Sequence, residues 1–194
     1  MNLQPRSTLS DVFGSINEVQ RCRSKTVALK ELSDMSCVLF TAASNSVDSA
    51  FRAAHAAQID LPSTAGEYVT RSGRMAIWLS PRSWLIRCRI GDEAALVTEL
   101  NDELPDGLAH AVPYTDALCW LELSGPDALD YLTEGSFISL EVSGLRIGHA
   151  KRTLIAQIVA VIVRHERNIW QMGVERSRAQ YFVDWLTPAA DSHR

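Results

Sequence analysis

The order of predicted elements occurs twice along this chain, and this repetition constrains its fold more than any other feature. Residues 37–104 read as strand, helix, strand, strand, helix, and residues 119–187 read the same way. The copies lie about 80 residues apart, beyond the periods of about 20 to 50 residues found in solenoids. One half alone would bury too little apolar surface to be stable. We therefore expect an α+β fold of two similar β-α-β-β-α halves that share one core.

The first copy combines strand-like and helical patterns of apolar residues. Residues 37–43 form an apolar strand, and residues 47–58 have helical spacing of their larger side chains. A polar stretch follows, which predicts a loop. Residues 75–79 and 84–89 then flank a short turn and predict a hairpin. Asp92 is placed to cap the next helix through its side chain.

The second copy repeats the pattern with different turn residues. Residues 119–123 predict a strand, and Ser124-Gly-Pro-Asp127 opens a helix with Pro126 at its first position and Asp127 completing a box-like cap. Residues 153–164 predict one long apolar strand that turns back through a hairpin. Ser177 is expected to cap the last helix.

The ends of the chain differ from this duplicated region. Residues 1–30 contain scattered apolar residues without a sustained period. They predict an N-terminal arm that is ordered only on a partner. Residues 31–188 are expected to form the single duplicated domain, and residues 189–194 a flexible tail.

Composition narrows the functional class. No apolar run approaches the length that spans a bilayer, and the first thirty residues have no signal core, so we expect a cytoplasmic protein without a membrane partner. The net charge of −4 and the pI of about 5.7 argue against nucleic-acid binding. The four cysteines are widely separated, which favours reduced core thiols over disulfides or metal ligands.

A search for catalytic patterns finds none. The five histidines never approach ligand spacing, and both common glycine-rich phosphate loops and the G-x-S-x-G elbow are missing from the sequence. We therefore predict no catalytic, cofactor-binding or metal-binding residue. A nucleophile with distant partners stays open, since triad members can lie far apart in sequence.

One basic stretch departs from the acidic balance of the chain. Residues 146–178 contain seven lysines and arginines against two glutamates. Two interpretations stay open, a solvated face or a docking patch for an acidic partner. The candidate interface residues lie where a glycine turn enters the long apolar strand, and they are Arg146, His149, Lys151 and Arg152.

Three sequence blocks carry a resemblance to a known family. They are residues 75–86, 119–132 and 174–186. In this order they resemble the gamma subunit of heterotetrameric sarcosine oxidase, and the similarity runs from about residue 37 to 186. The family commonly has Cys near His149, and Ala-Gln-Thr where this chain has Lys-Arg-Thr at 151–153. The substrate of the parent complex therefore stays open between sarcosine and a related N-methyl amino acid such as N-methylglutamate.

The resemblance implies a fold and a partnership. The fold would be that of the folate-binding part of the glycine-cleavage T protein. The chain would be a noncatalytic structural subunit without its own cofactor, bound mainly to a large alpha subunit that carries NAD and the folate domain. A beta subunit would bind FAD and share FMN with alpha, and a delta subunit would hold zinc. The complex would oxidise sarcosine to glycine and yield hydrogen peroxide and 5,10-methylenetetrahydrofolate.

Other functions stay open at this point. The chain could be the small subunit of a related N-methylglutamate dehydrogenase. It could also be an autonomous folate-binding protein resembling an aminomethyltransferase, since a shared fold does not fix function. A third hypothesis is an interaction module recruited by an unrelated partner.

Overall fold

The chain has mixed α and β structure with antiparallel sheets. A computed structural model describes Leu9 and residues 19–21, 26–104 and 107–187. The elements found there are β1 (Val19–Arg21), β2 (Ala28–Leu32), β3 (Met35–Ala42), α1 (Val47–Ala56), β4 (Tyr68–Arg71), β5 (Arg74–Ser80), β6 (Ser83–Arg89), α2 (Glu93–Asp102), β7 (Ala109–Pro113), β8 (Leu118–Ser124), α3 (Ala128–Gly135), β9 (His149–Ile155), β10 (Ile158–Glu166), β11 (Ile169–Glu175) and α4 (Ala179–Leu186).

These elements divide into two compact units. Unit 1 comprises Met1–Ser33, Ala117–Ile147 and Arg152–Arg194, as far as these residues are described, and unit 2 comprises Asp34–Asp116 and Gly148–Lys151. The first predicted half lies wholly within unit 2, and most of the second lies within unit 1. Each unit has its own cluster of buried apolar side chains. The single core predicted for both halves remains a prediction.

Unit 1 is built on a six-stranded sheet in the order β1-β2-β8-β11-β10-β9. Leu121 on β8 pairs with Met172 on β11, and both side chains are fully buried. Because successive side chains alternate between the faces of a strand, one face of these strands collects the apolar residues. Leu132 from α3 and Phe182 from α4 complete this cluster. The two helices therefore cover the apolar face of the sheet.

Unit 2 has a five-stranded sheet in the order β4-β5-β6-β3-β7. Phe40 on β3 is paired with Trp84 on β6, and both are buried. The indole Nε1 of Trp84 donates a hydrogen bond of 2.9 Å to the carbonyl of Pro62, which satisfies the polar atom of this buried ring. Leu96 and Leu100 from α2 pack into the same cluster. Helix spacing thus places the two leucines against the sheet, as predicted.

The duplication is present with one strand more per copy than predicted. The first copy runs β3, α1, β4, β5, β6, α2, and the second runs β8, α3, β9, β10, β11, α4. The prediction of a loop was wrong at Tyr68–Arg71, which pairs with β5. Its residues are partly exposed and polar in part, so this edge strand has no continuous apolar run.

The predicted single strand at residues 153–164 was wrong as well. It is a tight hairpin of β9 and β10, and the turn consists of Ala156 with φ 50° and Gln157 with φ 64°. Two-residue hairpin turns of this kind require positive φ and usually contain Asn or Gly. An Ala-Gln turn carries no such signal, so the apolar run on both sides read as continuous.

Two of the residues predicted to cap helices occupy cap positions, but their side chains do not act as predicted. Asp92 and Asp127 are at the N-cap positions of α2 and α3, but neither side chain makes a capping hydrogen bond. Asp127 instead accepts a hydrogen bond from the hydroxyl of Thr26, 101 residues away in sequence. Pro126 precedes α3, and Ser177 lies in a 3₁₀ turn before α4, so neither has the role predicted for it.

Part of the predicted N-terminal arm, residues 1–30, is described. Leu9 is fully buried in the apolar cluster of unit 1. β1 and β2 pair with each other, and β2 pairs with β8. Val27 is buried in the same cluster, whereas residues 1–8, 10–18 and 22–25 of the arm and the predicted tail at 189–194 lie outside the described residues.

Candidate functional site

The predicted interface segment, residues 146–152, leads from the loop after α3 into β9. Arg146 and Arg152 are exposed and belong to unit 1, whereas His149 and Lys151 are half-buried and belong to unit 2. Along β9 successive side chains point to opposite faces, so His149 and Lys151 share one face and Arg152 lies on the other. The structure therefore does not gather the three cationic groups of β9 into one anion site.

The first residues of β9 are anchored through their backbone. His149 forms an isolated antiparallel bridge with Glu67, and the amide of Ala150 donates a hydrogen bond of 2.9 Å to the carbonyl of Gly66. Gly66 has φ +87°, a conformation that residues with side chains rarely adopt. These contacts fix where the half-buried His149 and Lys151 emerge from unit 2.

Arg164 lies within the basic stretch at residues 146–178, but its side chain is buried. It is only 3% exposed, and its Nη1 donates hydrogen bonds to the carbonyls of Leu140 at 3.1 Å and Leu145 at 2.9 Å. Its guanidinium carbon lies 4.6 Å from the centroid of the Trp170 ring. Within the described part of the chain no carboxylate pairs with it. Arg164 therefore holds a loop in place and cannot contribute to a cationic face.

A shallow groove on unit 2 has a volume of about 420 Å³. Its polar side chains include Arg52, His55 and Asp60. Asp60 forms an ion pair of 2.7 Å with Arg71, so its carboxylate is already engaged. The groove is open to solvent. The full lining is Phe51, Arg52, His55, Ala56, Ile59, Asp60 and Leu61.

The described cysteines, Cys37, Cys88 and Cys119, form no disulfide among themselves. All three are buried, as predicted, and Cys22 lies outside the described residues. Burial raises the pKa of the Cys88 thiol to about 11, and the carboxylates of Asp92 and Glu93 add to this rise. The thiolate is the nucleophilic form of cysteine, so Cys88 is held in its unreactive state at neutral pH.

Among the described residues, no group of three or more His, Cys, Asp or Glu side chains is arranged to hold a metal ion. In the same part of the chain, no helix is both long and apolar enough to cross a membrane.

Apart from Arg146, no residue of the loop that connects α3 to β9, residues 136–148, was predicted to have a functional role. This loop carries Phe137, Val142 and Ile147, all exposed. A signal was present, because large apolar residues are unusual in a segment that also contains serine, glycine and glutamate. Only the structure separates these residues from the buried Leu140 and Leu145 of the same loop.

Two of the solved structures that match this chain show the same fold. Heterotetrameric sarcosine oxidase from Corynebacterium sp. U-96, solved in complex with pyrrole 2-carboxylate, matches with a TM-score of 0.79 and 24% identity over 94% of this chain and 92% of that chain. The glycine cleavage system aminomethyltransferase T from Bartonella henselae matches with a TM-score of 0.63 and 15% identity, and the similarity covers 86% of this chain and 46% of that chain. At these identities the two structures establish the fold alone.

Sequence comparison is more specific. Curated protein sequences gave no significant match. Residues 43–192, in contrast, match the family described as sarcosine oxidase, gamma subunit family. The match includes both helices and the hairpin of each copy, together with β9 and the loop before it. It spans well over half of the chain, and we conclude that the chain belongs to the sarcosine oxidase gamma subunit family.

Proposed function

We propose that this chain is the noncatalytic structural subunit of a heterotetrameric complex of the sarcosine oxidase type. The observation that carries the proposal is the family match over residues 43–192. The shared fold with the heterotetrameric oxidase, over nearly the full length of both chains, supports it. The three described thiols are buried and the carboxylate of the unit 2 groove is paired, so these groups support a scaffold rather than a catalyst.

In this proposal the other subunits carry the chemistry. The complex oxidises sarcosine with oxygen and tetrahydrofolate, and it yields glycine, hydrogen peroxide and 5,10-methylenetetrahydrofolate. FAD, FMN, NAD and zinc, together with the folate, are bound by the alpha, beta and delta subunits, in the cytoplasm. The alternative is that the chain is the small subunit of a related N-methylglutamate dehydrogenase. Assays of the purified complex with sarcosine and with N-methylglutamate distinguish the two substrates.

The proposed partner is mainly the large alpha subunit, bound through the surface around Arg146, His149, Lys151 and Arg152. Two of these residues are exposed and two are half-buried. In a protein of net charge −4, the exposed Arg146 and Arg152 offer an acidic partner an electrostatic attraction, which guides association and register.

Co-purification tests the proposal directly. The chain should be tagged, expressed together with the genes adjacent to its own, and purified through the tag. We expect flavin-containing subunits to be recovered with it in equal amounts, with flavin absorbance in the same peak. A tagged chain that elutes alone beside abundant soluble partners would overturn the proposal.

Titration calorimetry with tetrahydrofolate separates this function from an autonomous folate-binding protein. The isolated chain should give no binding heat, while the assembled complex should bind the ligand. Tight binding by the isolated chain would favour the autonomous protein, since a subunit without its own site has no means to bind folate.

A further inference from the structure

The strands that precede the two copies are exchanged between the sheets. β2 precedes the first copy but pairs with β8, the first strand of the second copy, whereas β7 precedes the second copy but pairs with β3, the first strand of the first. β2 and β7 are therefore equivalent strands of the duplication. Beyond β2 the sheet of unit 1 continues with β1, and at its other end Ser136 forms an antiparallel bridge with Ile155 on β9. β7, in contrast, ends the described sheet of unit 2.

The central backbone groups of β7 point away from its sheet. Ala111 is paired in register with Phe40 on β3, yet its amide and carbonyl both bond to the side chain of Asn101 at the end of α2. Because the direction of the backbone groups alternates along an edge strand, those of Ala109 and Pro113 point outward too. β7 therefore presents a short row of outward groups with Ala111 at its centre.

Asn101 closes this row with its carboxamide. The Oδ1 atom accepts a hydrogen bond of 2.9 Å from the Ala111 amide, and the Nδ2 atom donates one of 3.1 Å to the Ala111 carbonyl. A carboxamide carries a donor and an acceptor, as a residue of a paired strand does. Leu100, the preceding residue of α2, is buried in the apolar cluster of unit 2 and fixes this end of the helix. The Asn101 side chain thus takes the place of a neighbouring strand.

The sequence of β7 itself offers little protection against a further strand. Ala109-His-Ala-Val-Pro113 contains no lysine, arginine, aspartate or glutamate, the residues that commonly blunt a strand edge, and its proline removes only one donor. Two β7 strands could pair antiparallel about Ala111, which would join the two Ala111 residues by two hydrogen bonds. This register sets His110 opposite Val112 of the second copy, so no like charges meet.

We propose that the outer edge of β7 is a pairing site for a second copy of this chain and that Asn101 keeps the site closed. The equivalent strand β2 carries a further strand, β1, on its outer side, so this position in the fold accommodates one. A second copy fits because β7 is complementary to itself in the register about Ala111, which gives a symmetric contact. This role concerns the free chain and goes beyond the proposed function, since it does not depend on the other subunits.

The test compares four forms of the full chain, namely the wild type, Asn101→Ala, Asn101→Asp and the control Asp102→Ala. Asp102 follows Asn101 in α2 and is exposed, so the control makes a similar change in helix propensity. Sedimentation velocity over a range of concentrations gives the dimerisation constant. Hydrogen exchange, measured at single amides by NMR, reports whether the Ala111 amide is covered. Thermal unfolding shows that each variant is folded.

We expect Asn101→Ala to dimerise at least about tenfold more tightly than the wild type and Asp102→Ala. Its Ala111 amide should exchange faster than that of the wild type in dilute solution and regain protection as the dimer forms, because the second copy then covers it. Asn101→Asp keeps an acceptor for the Ala111 amide and adds a negative charge to the edge. This variant should therefore stay protected and monomeric.

A folded Asn101→Ala that stays monomeric overturns the proposal. A dimer whose Ala111 amide remains unprotected also overturns it, because association then uses another surface. The same holds for a wild type that dimerises as tightly as Asn101→Ala, since the carboxamide would then close nothing. If Asn101→Ala does not fold, Asn101→Ser provides the same comparison with the same expected and contrary results, because its short hydroxyl side chain cannot bond both Ala111 groups.

Discussion

Arg164 and Trp170 occupy paired positions on β10 and β11, and the guanidinium carbon of Arg164 lies 4.6 Å from the centroid of the Trp170 ring. A guanidinium stacked on an aromatic face keeps a favourable electrostatic contact where water is excluded. The same guanidinium binds two loop carbonyls. A single buried cation thus connects the sheet of unit 1 to the loop at residues 136–148.

Replacing Arg164 with Met should destabilise the loop at residues 136–148. The carbonyls of Leu140 and Leu145 would lose their donor while staying buried, at a cost of about 1–3 kcal/mol in the free energy of unfolding. Urea unfolding measures this loss, and hydrogen exchange should show faster exchange of the Gly144 and Leu145 amides. Arg167→Met is the control, because Arg167 is an exposed arginine in the adjacent turn. Equal stability of both variants would show that the loop does not depend on Arg164.

Gly125→Ala should be among the most disruptive small substitutions in unit 1. Gly125 has φ +131°, and an added Cβ would lie 2.0 Å from the carbonyl oxygen of Thr26. Gly73 also has a positive φ, +76°, but a Cβ there meets nothing within 4 Å. Gly73→Ala should therefore lose only about 1 kcal/mol from backbone strain, and Gly125→Ala at least about 2 kcal/mol more from the clash. Thermal unfolding of the two variants compares them, and equal losses would contradict a close approach at Gly125.

The stability of the protein should fall in alkaline solution partly through Cys88. The folded-state pKa of this thiol is about 11, against an ordinary value of 9.0, chiefly because burial disfavours the thiolate. The contribution is fully present below pH 9 and is lost as the pH rises through 11, since the unfolded chain releases the proton first.

Urea unfolding between pH of about 8 and about 11 tests this dependence. The wild type should lose more stability across the window than Cys88→Ala, which has no thiol to ionise. Burial also raises the pKa of Tyr68, but this group is present in both proteins and cancels in the comparison. Parallel pH curves for the two proteins would rule out a contribution from Cys88.

Reversing the charges of Lys151 and Arg152 to Glu should weaken assembly with the other subunits and leave the isolated fold intact. One side chain is exposed and the other half-buried, and reversal puts like charges opposite an acidic partner. The association rate, measured at low and at moderate salt, should fall most at low salt, where the repulsion between like charges is screened least. Arg82→Glu with Arg167→Glu makes the same change in net charge at two other exposed sites and should associate normally. If the two double variants associate equally, the positions of Lys151 and Arg152 carry no specific role.

The strands and helices that were predicted well are those whose apolar side chains repeat without interruption. β8 and β11 bury apolar residues along most of their length, and α2 buries Leu96 and Leu100 at helical spacing. The Ala156–Gln157 turn could not be predicted, because its positive φ angles are imposed by the pairing of the flanking strands and not by the turn residues. β7 was not predicted for a related reason, because it is held in the sheet by pairing with β3, which is far away in sequence.

The candidate site was harder to predict from the sequence than the fold was. Arg146 and Arg152 were found from local charge, and both are exposed. Arg164 was counted with them, yet it is buried, because charge alone does not say which face of a strand a residue occupies. The exposed apolar residues of the loop at 136–148 can be recognised only from their solvent exposure, since Leu145 and Ile147 are alike in sequence and opposite in exposure.

The pairing of Ser136 and Phe137 with the edge of β9 protects part of this sheet edge from aggregation before the subunit assembles. β9 is the last strand of its sheet, and a bare strand edge recruits strands from other molecules and leads to aggregates. The amide of Phe137 occupies the Leu154 carbonyl, and the carbonyl of Gly135 occupies the Ala156 amide. In a newly synthesised chain that has not yet bound the other subunits, the backbone of residues 135–137 therefore covers the C-terminal end of the β9 edge.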